Sequence, residues 1–442
     1  MFKLAPNEVI RGQRRRILIV QGDWELGMSR LAQDLIETGH SVIKLALNAP
    51  DLMYRARGIK TIPFRKPIRE FEEWLGDLVK CHEIDTFVVY NSFRPYNQVA
   101  CQLADRLGLG VIQCEQGILR PLHVTVIFGS KFPFDEIREL WEDKSLRGQW
   151  AKPNPPDPVS TVSTARKNVK FGLSVLSALT LNVFFPRYCD QQRMSFSKHF
   201  IGTLLNGCRF LARSWESGHF TPLITGPWSG KFFLAPLQLG HDAQIQRHSP
   251  FKAMNEVMDL VANSFLENAE ATDRLIFKIH PLDRGYRTFK EKFQEISERL
   301  GKERVFLVDR VDLSLLIENS KGVVTVNSTV GLIALRHQAK VKVLGEAFYD
   351  LPCLTFQGEL NQFWQAPHHP KKEDVQQFIN MLEYTMQARG TLSGKCFANA
   401  GHCGILWPIQ VGKTLGLDYL LHPDPEPESD FSSEGASVMK PI

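Results

Sequence analysis

The stretch "DTFVVYNSFRPYNQVACQLADRLGLGVIQCE", residues 85–115, decides the reading of the fold. "DTFVVYN" is a short apolar run that ends in polar residues, the signature of a strand buried on both faces. "YNQVACQLADRLG" then spaces its apolar side chains along one helical face and stops at Gly108. "LGVIQCE" is a second buried strand. Strand, helix, strand is a βαβ unit, and such units imply a parallel sheet with helices on its faces.

The same rhythm extends both ways. Upstream, "RILIVQG" and "SVIKLAL" read as strands, and "WELGMSRLAQDLIETGH" and "IREFEEWLGDLVKCHEI" as amphipathic helices. From residue 226 the pattern resumes. "KFFLAPLQ", "DRLIFKIHP", "RVFLVD", "KGVVTVNST" and "AKVKVLG" are strands, and helices lie between them. The fold class is therefore α/β, with two Rossmann-like domains in tandem. The expected boundaries are an N-terminal domain over 1–130, a linker and helical insertion over 131–225, a C-terminal domain over 226–421 and a disordered tail over 422–442. The insertion holds the Pro-rich "KPNPPDPVST", and the tail is rich in Pro, Ser and acids.

A chain of 442 residues suits about two to three domains. Apolar residues are 43% and charged residues 23%, as in globular proteins. A net charge of +5 is too mild to indicate nucleic acid as a partner. The basic "RGQRRR", residues 11–16, is either a solvated turn or a patch for an anion or membrane surface. The eight cysteines form no CxxC pair, which fits reduced, cytosolic thiols and no zinc site. The N-terminal residues carry no signal-peptide core. "FGLSVLSALTLNVFFP", residues 171–186, is short for a span of ~20 residues. It reads first as a buried or lid-like helix, second as an interfacial membrane contact.

Two α/β domains place a cleft between the carboxyl ends of their sheets, where ligands of such sheets bind. Unusual polar residues gather at those strand ends. The first half offers Arg94 and Tyr96 in "VVYNSFRPYN", and Glu115, Gln116 and Arg120 in "QCEQGILRP". The second offers Gln238, Asp242 and Gln244 in "APLQLGHDAQI", Lys278, His280 and Pro281 in "KIHPLDRG", and Asn327, Ser328 and Thr329 in "TVNSTVG". "NSTVG" opens a helix, so it is either an anion site for a phosphate or a plain N-cap. Lys278 and His280 lie two apart and share a strand face. "HDAQIQRHSP" could conceivably hold a metal, yet contacts through amides suit it better, and no metal is expected. Glu115 is the carboxylate placed to serve as a general base, because partial burial raises a carboxyl pKa. A base in one half facing a phosphate site in the other is the division of labour of a two-domain glycosyltransferase.

Taken together, "NSFRPYNQVA", "EQGILRP", "APLQLGHDAQIQRHSPF", "KIHPLDRG" and "VNSTVGLIAL…VKVLGEAFYDLPCLT" resemble the bacterial capsule polysaccharide biosynthesis/export family of the KpsS/LipB type. The resemblance implies a GT-B-like fold and retaining β-Kdo transfer from CMP-Kdo, without a cofactor. It implies a phosphatidylglycerol-type lipid acceptor, a location in the cytoplasm, peripheral at the inner membrane, and capsule assembly proteins as partners. It also implies that His280-Pro281 and Ser328-Thr329 contact the nucleotide, with Lys278 and Asn327 beside them. The family's acidic pair before Gly matches Glu115-Gln116, and Gln116 departs from it. That departure keeps a second reading open, a non-catalytic assembly or export factor on a degenerate transferase scaffold. A third, a GT-B enzyme using a nucleotide diphosphate sugar or a sugar-nucleotide epimerase, would need a second set of diphosphate contacts.

Overall fold

The computed structural model describes residues 14–22, 26–55, 58–119, 122–143, 181–189, 214–238, 245, 248–280, 286–301 and 303–419. The N-terminal half opens with β1 (Arg16–Ile19), α1 (Gly27–Glu37), β2 (Ser41–Ala46), α2 (Ala49–Met53), β3 (Lys60–Pro63) and α3 (Phe71–His82). It continues with β4 (Thr86–Tyr90), α4 (Pro95–Leu107), β5 (Gly110–Gln116), β6 (His123–Phe128) and α5 (Phe134–Glu142). After α6 (Ser214–Thr225) the second half runs β7 (Phe232–Pro236), α7 (Met254–Asn268), β8 (Arg274–Lys278), α8 (Tyr286–Leu300), β9 (Val305–Val308) and α9 (Leu313–Asn319). Then come β10 (Gly322–Thr325), α10 (Val330–Arg336), β11 (Val341–Val343), α11 (Leu360–Phe363), α12 (Lys372–Thr385), β12 (Gln387–Arg389) and α13 (Ile409–Leu415).

The two sheets share one plan. The first has the order β12-β6-β5-β4-β1-β2-β3, and the second β11-β10-β7-β8-β9. Within the first, β3-β2-β1-β4-β5 is parallel throughout. The second is entirely parallel. Each core therefore repeats the Rossmann order 3-2-1-4-5, with its switch point between the first and fourth strands. This is the expected GT-B-like pair of Rossmann-like domains.

Alternation along the strands explains why they sit in the middle layer. Ile17, Ile19 and Val88 face a cluster completed by Met28, Leu31 and Leu35 of α1. Leu18, Val20 and Phe87 face the opposite cluster, with Phe71 and Leu75 of α3 and Ala100 of α4. Both faces are buried, as a parallel sheet requires. In the second sheet, Phe233, Leu275 and Phe277 pack under α7, while Phe232, Leu234 and Ile276 pack under α9, α10 and α12.

Two features differ from the linear boundaries. The expected C-terminal domain over 226–421 ends too late. β12 pairs antiparallel with β6 of the first sheet. Ala388, Leu392, Cys403, Ile405, Trp407, Val411 and Leu415 then complete the core under α1. The chain thus returns to its first half and covers that sheet's face with its own apolar side chains. Second, α5 falls within the expected insertion over 131–225, yet Ile137, Leu140 and Trp141 join the core of the second sheet. Ile118, Leu119 and Ile127 of the first half enter the same cluster. "KPNPPDPVST", most of 171–186 and the tail over 422–442 lie outside the described residues. No helix among the described residues is long and apolar enough to cross a membrane.

Candidate functional site

The carboxyl ends of the two sheets face a cleft of about 890 Å³, within the usual range for ligand sites. Glu115, Gln116 and Gly117 line it from β5 and Ser92 from the turn after β4. Gln238, His280, Asn327, Ser328 and Thr329 line it from the second sheet. Both halves thus bring the expected strand-end residues to one space.

The local sequence explains how Glu115 is held. Asn91 adopts a left-handed φ of 64°, which Asn tolerates better than most residues. Its side-chain oxygen accepts from Phe93 N at 3.0 Å. That turn presents Ser92, whose N–H and hydroxyl donate to Glu115 Oε1 at 3.3 and 3.1 Å. Glu115 is half-buried. Burial pushes its carboxyl above the usual 4.5, and the two Ser92 bonds pull the other way. Gly117 is not a turn glycine. A Cβ there would lie 2.3 Å from His123 O, so glycine is what lets β5 and β6 close into a hairpin. The loop beyond is pinned by the returning chain: Gln387 Oε1 accepts from Ile118 N at 3.1 Å and Leu119 N at 3.3 Å.

On the opposite wall, Gln238 Nε2 donates to Asn327 Oδ1 at 2.9 Å, and Asn327 N donates to Gln238 Oε1 at 3.3 Å. This pair bridges the ends of β7 and β10, the switch point. Ser328 behaves as an internal cap. Its hydroxyl accepts from Val330 N at 3.2 Å, and its carbonyl accepts from Gly331 N at 3.0 Å and from the Tyr349 hydroxyl.

Several expected residues fall elsewhere. Lys278 does not line the cleft; it is buried, and its ammonium donates to the carbonyls of Asp309 and Ile279. Tyr96 is a core residue, because position 96 is the inward face of α4. Its ring stacks on Tyr188 with centroids 5.8 Å apart, and its hydroxyl accepts from Cys189 N. Arg94 stands at the N-cap position of α4 without a side-chain capping bond, and its guanidinium donates to Gly22 O in the loop after β1, so it ties the β1 and β4 loops together. Arg120, Asp242, Gln244 and Pro281 lie outside the described residues.

Sequence reasoning missed other lining residues. Gln98, Cys101, Gln102 and Asp105 form one wall. Their i, i+3, i+4, i+7 spacing was the available signal, one polar helical face beside the strand end. Burial and the carboxylates of Asp105 and Glu115 push the Cys101 thiol up to about 12, so it stays protonated. His248, within "HDAQIQRHSP", and Glu346, within "VKVLGEAFYDLPCLT", also line the cleft, and sequence reasoning gave neither a role of its own. Among the described residues, one group has metal-type ligands close together: Asp34, Glu37 and His402. None of them lines the cleft. Both Asp34 oxygens already accept backbone N–H groups, from His402 and Cys403. A second hollow, of about 1040 Å³, is lined by Phe397, Lys413, Asp418 and Tyr419 among others. It brings no carboxylate–histidine constellation together.

Two Rossmann-like sheets facing one polar cleft, with a chain that returns to the first sheet, define a GT-B-like protein. The family described as "Capsule polysaccharide biosynthesis protein" matches residues 85–392, and the chain belongs to it. That span runs from β4 to just beyond β12 and contains the cleft residues of both halves. The chain is 28% identical over 381 residues to the "Capsule polysaccharide export protein KpsS" of Escherichia coli, covering 83% of this chain and 94% of that one. It is 29% identical over 367 residues to the "Capsule polysaccharide modification protein LipB" of Neisseria meningitidis serogroup A, covering 81% and 86%. Among solved structures, the Thermosulfurimonas dismutans KpsC "beta Kdo 2,7 transferase" aligns with a TM-score of 0.41 at 14% identity, covering 85% of this chain and 92% of that one.

Proposed function

We propose that this chain transfers Kdo from CMP-Kdo to a phosphatidylglycerol-type lipid at the cytoplasmic face of the inner membrane, building the linker of a capsule polysaccharide. The observation that carries this reading is the cleft itself. A half-buried carboxyl, Glu115, stands on one sheet, and His280, Asn327, Ser328 and Thr329 stand on the other. The C-terminal side takes the nucleotide, and the N-terminal side takes the acceptor. Retention requires the acceptor oxygen to arrive on the face that CMP leaves. The bond from the anomeric carbon to the phosphate oxygen breaks first, and CMP departs with the electron pair. The acceptor oxygen then bonds to that carbon on the same face while Glu115 accepts its proton. Gln98, Gln102 and Asp105 along α4 offer the amides and carboxylate that suit acceptor hydroxyls. No residue of the cleft is assigned to a metal. Exposed Val183 and Phe184 suit contact with a lipid surface.

The test supplies CMP-Kdo and lysophosphatidylglycerol in anionic vesicles and reads the lipid product by mass spectrometry. A Kdo-bearing lipid should form with EDTA present, and should be lost in Glu115→Ala and in His280→Ala. Gln116, exposed beside Glu115 where the family resemblance expects an acid, gives the competing outcome its basis. CMP binding without any product would assign the chain to assembly or export on a transferase scaffold.

A further inference from the structure

The cleft carries a second histidine that the reaction above leaves without a task. His248 lines it beside Asn327, and its Nδ1 lies 2.7 Å from Glu346 Oε2. A carboxylate only accepts, so Nδ1 holds a proton in this pair and Nε2 is the nitrogen left for a ligand. Phe134 covers the ring, with centroids 5.2 Å apart.

The chain builds this pair deliberately. Glu346 N donates to His248 O at 2.8 Å, and Asn327 Nδ2 donates to the same oxygen at 3.3 Å. Ser249 Oγ ties the segment back to Ile245 O at 2.6 Å. A Cβ at Gly345 would lie 2.8 Å from His248 O and 3.0 Å from Val326 Cγ1. Glycine therefore lets the loop after β11 close on His248.

Charge then limits what the pair can do. Among the described residues lining the cleft, the groups that can carry positive charge include His248 and His280 on the second sheet's wall and Lys131 just before α5. The amides of Gln238 and Asn327 are turned on each other. A nucleotide phosphate on this wall has two imidazoles to meet.

We propose that His248, oriented by Glu346, binds the phosphate of the nucleotide in this cleft. As an imidazolium it donates from Nδ1 to Glu346 and from Nε2 to a phosphoryl oxygen. The same donor meets the charge left on the phosphate when its bond to the sugar breaks, and no proton need be transferred. This rests on the reading of the cleft as a nucleotide-sugar site.

Calorimetric titration of the whole chain with CMP and with cytidine separates a phosphate contact from a structural role. His248→Gln should lose about tenfold or more in CMP affinity with cytidine affinity unchanged. Glu346→Gln should lose less, in the same direction. An unchanged ratio of CMP to cytidine affinity in His248→Gln, or an equal loss for both ligands, overturns the proposal. If the unsubstituted chain prefers another nucleotide, the ratio is read with that nucleotide and its nucleoside. A chain that binds no nucleotide overturns this proposal together with the donor assignment. CMP binding without turnover of CMP-Kdo sinks only the transfer reading, and the His248 result stands.

Discussion

Glu115 shows what a single residue costs the fold. Its carboxyl is held above its usual value chiefly by burial, against the two bonds from Ser92. The folded state thus keeps the proton to a higher pH than the unfolded chain does. Protons bound by the folded state exceed those bound by the unfolded one between the two values, so stability falls as pH rises through that window. Above that window the ionised, partly desolvated carboxylate remains a burden on the folded state. Glu115→Gln keeps an oxygen for Ser92 and removes the charge. The melting temperature of the variant minus that of the parent should be near zero at about pH 4 and positive at about pH 8. A difference that does not change with pH would refute this account. Turnover of the same variant should drop by about 10²–10⁴-fold, the usual loss when a general base is removed. The sequence made Glu115 legible because a carboxylate directly after a buried run has few other places to go. It misled at Tyr96 and Lys278 for a related reason. Both sit near a strand's carboxyl end, Lys278 as the last residue of β8 and Tyr96 shortly after β4, but Tyr96 falls on the buried face of α4, and Lys278 donates to backbone carbonyls. Strand proximity places a residue near the cleft without saying which way its side chain turns.

At the scale of the element, the β5–β6 hairpin is where fold and site meet. The strands "RILIV", "TFVVY" and "GVIQCEQ" were readable as apolar runs, and the first sheet's parallel core follows from them. β6 and β12 were not. β12 is three residues, Gln387, Ala388 and Arg389, with no apolar period to detect. Its polar side chains are buried because each finds a partner. Gln387 meets Thr125 and the loop after Gly117, and Arg389 Nε donates to Glu383 Oε1 at 3.3 Å. His123 Nε2 lies 2.8 Å from that same carboxylate. The loop end of the hairpin carrying Glu115 is thereby fixed on both strands. Gly117→Ala should force β5 and β6 apart, since its Cβ would meet His123 O at 2.3 Å. Overpacking of this kind costs on the order of 1–3 kcal/mol, and turnover should fall because Glu115 moves with its strand. Gly76→Ala in α3 is the control, with nothing within 4 Å of its Cβ; it should gain roughly 0.5–1 kcal/mol. Chemical denaturation of both variants checks the pair. Equal behaviour would show that the hairpin is not held by close approach at Gly117.

For the whole molecule, the domain order along the chain and the domain order in space differ. The sequence shows two α/β blocks in succession, and a boundary near 421 follows if each block is taken as self-contained. The molecule is instead closed by a return. α12 packs on the second sheet through Val375, Phe378 and Leu382, and the next residues cross to pair with β6. Trp407, Val411 and Leu415 then cover Ile17, Ile19 and Leu31, residues nearly four hundred positions earlier in some pairs. Such contacts leave no local pattern, so linear reading does not find them. They make the last part of the chain a condition for the first. A chain ending at residue 386 retains every strand of the second sheet, but it loses the apolar cover of β1 and α1 and exposes the edge of β6. An open edge beside uncovered core is a site for aggregation. Such a chain should lose the cooperative thermal transition of the first half and should collect in the insoluble fraction. CMP binding should vanish with it if the cleft needs both walls. A soluble chain ending at 386 with the parent melting temperature would mean that the first sheet closes its own core. In that case Gln387 would not be needed to fix the loop behind Glu115.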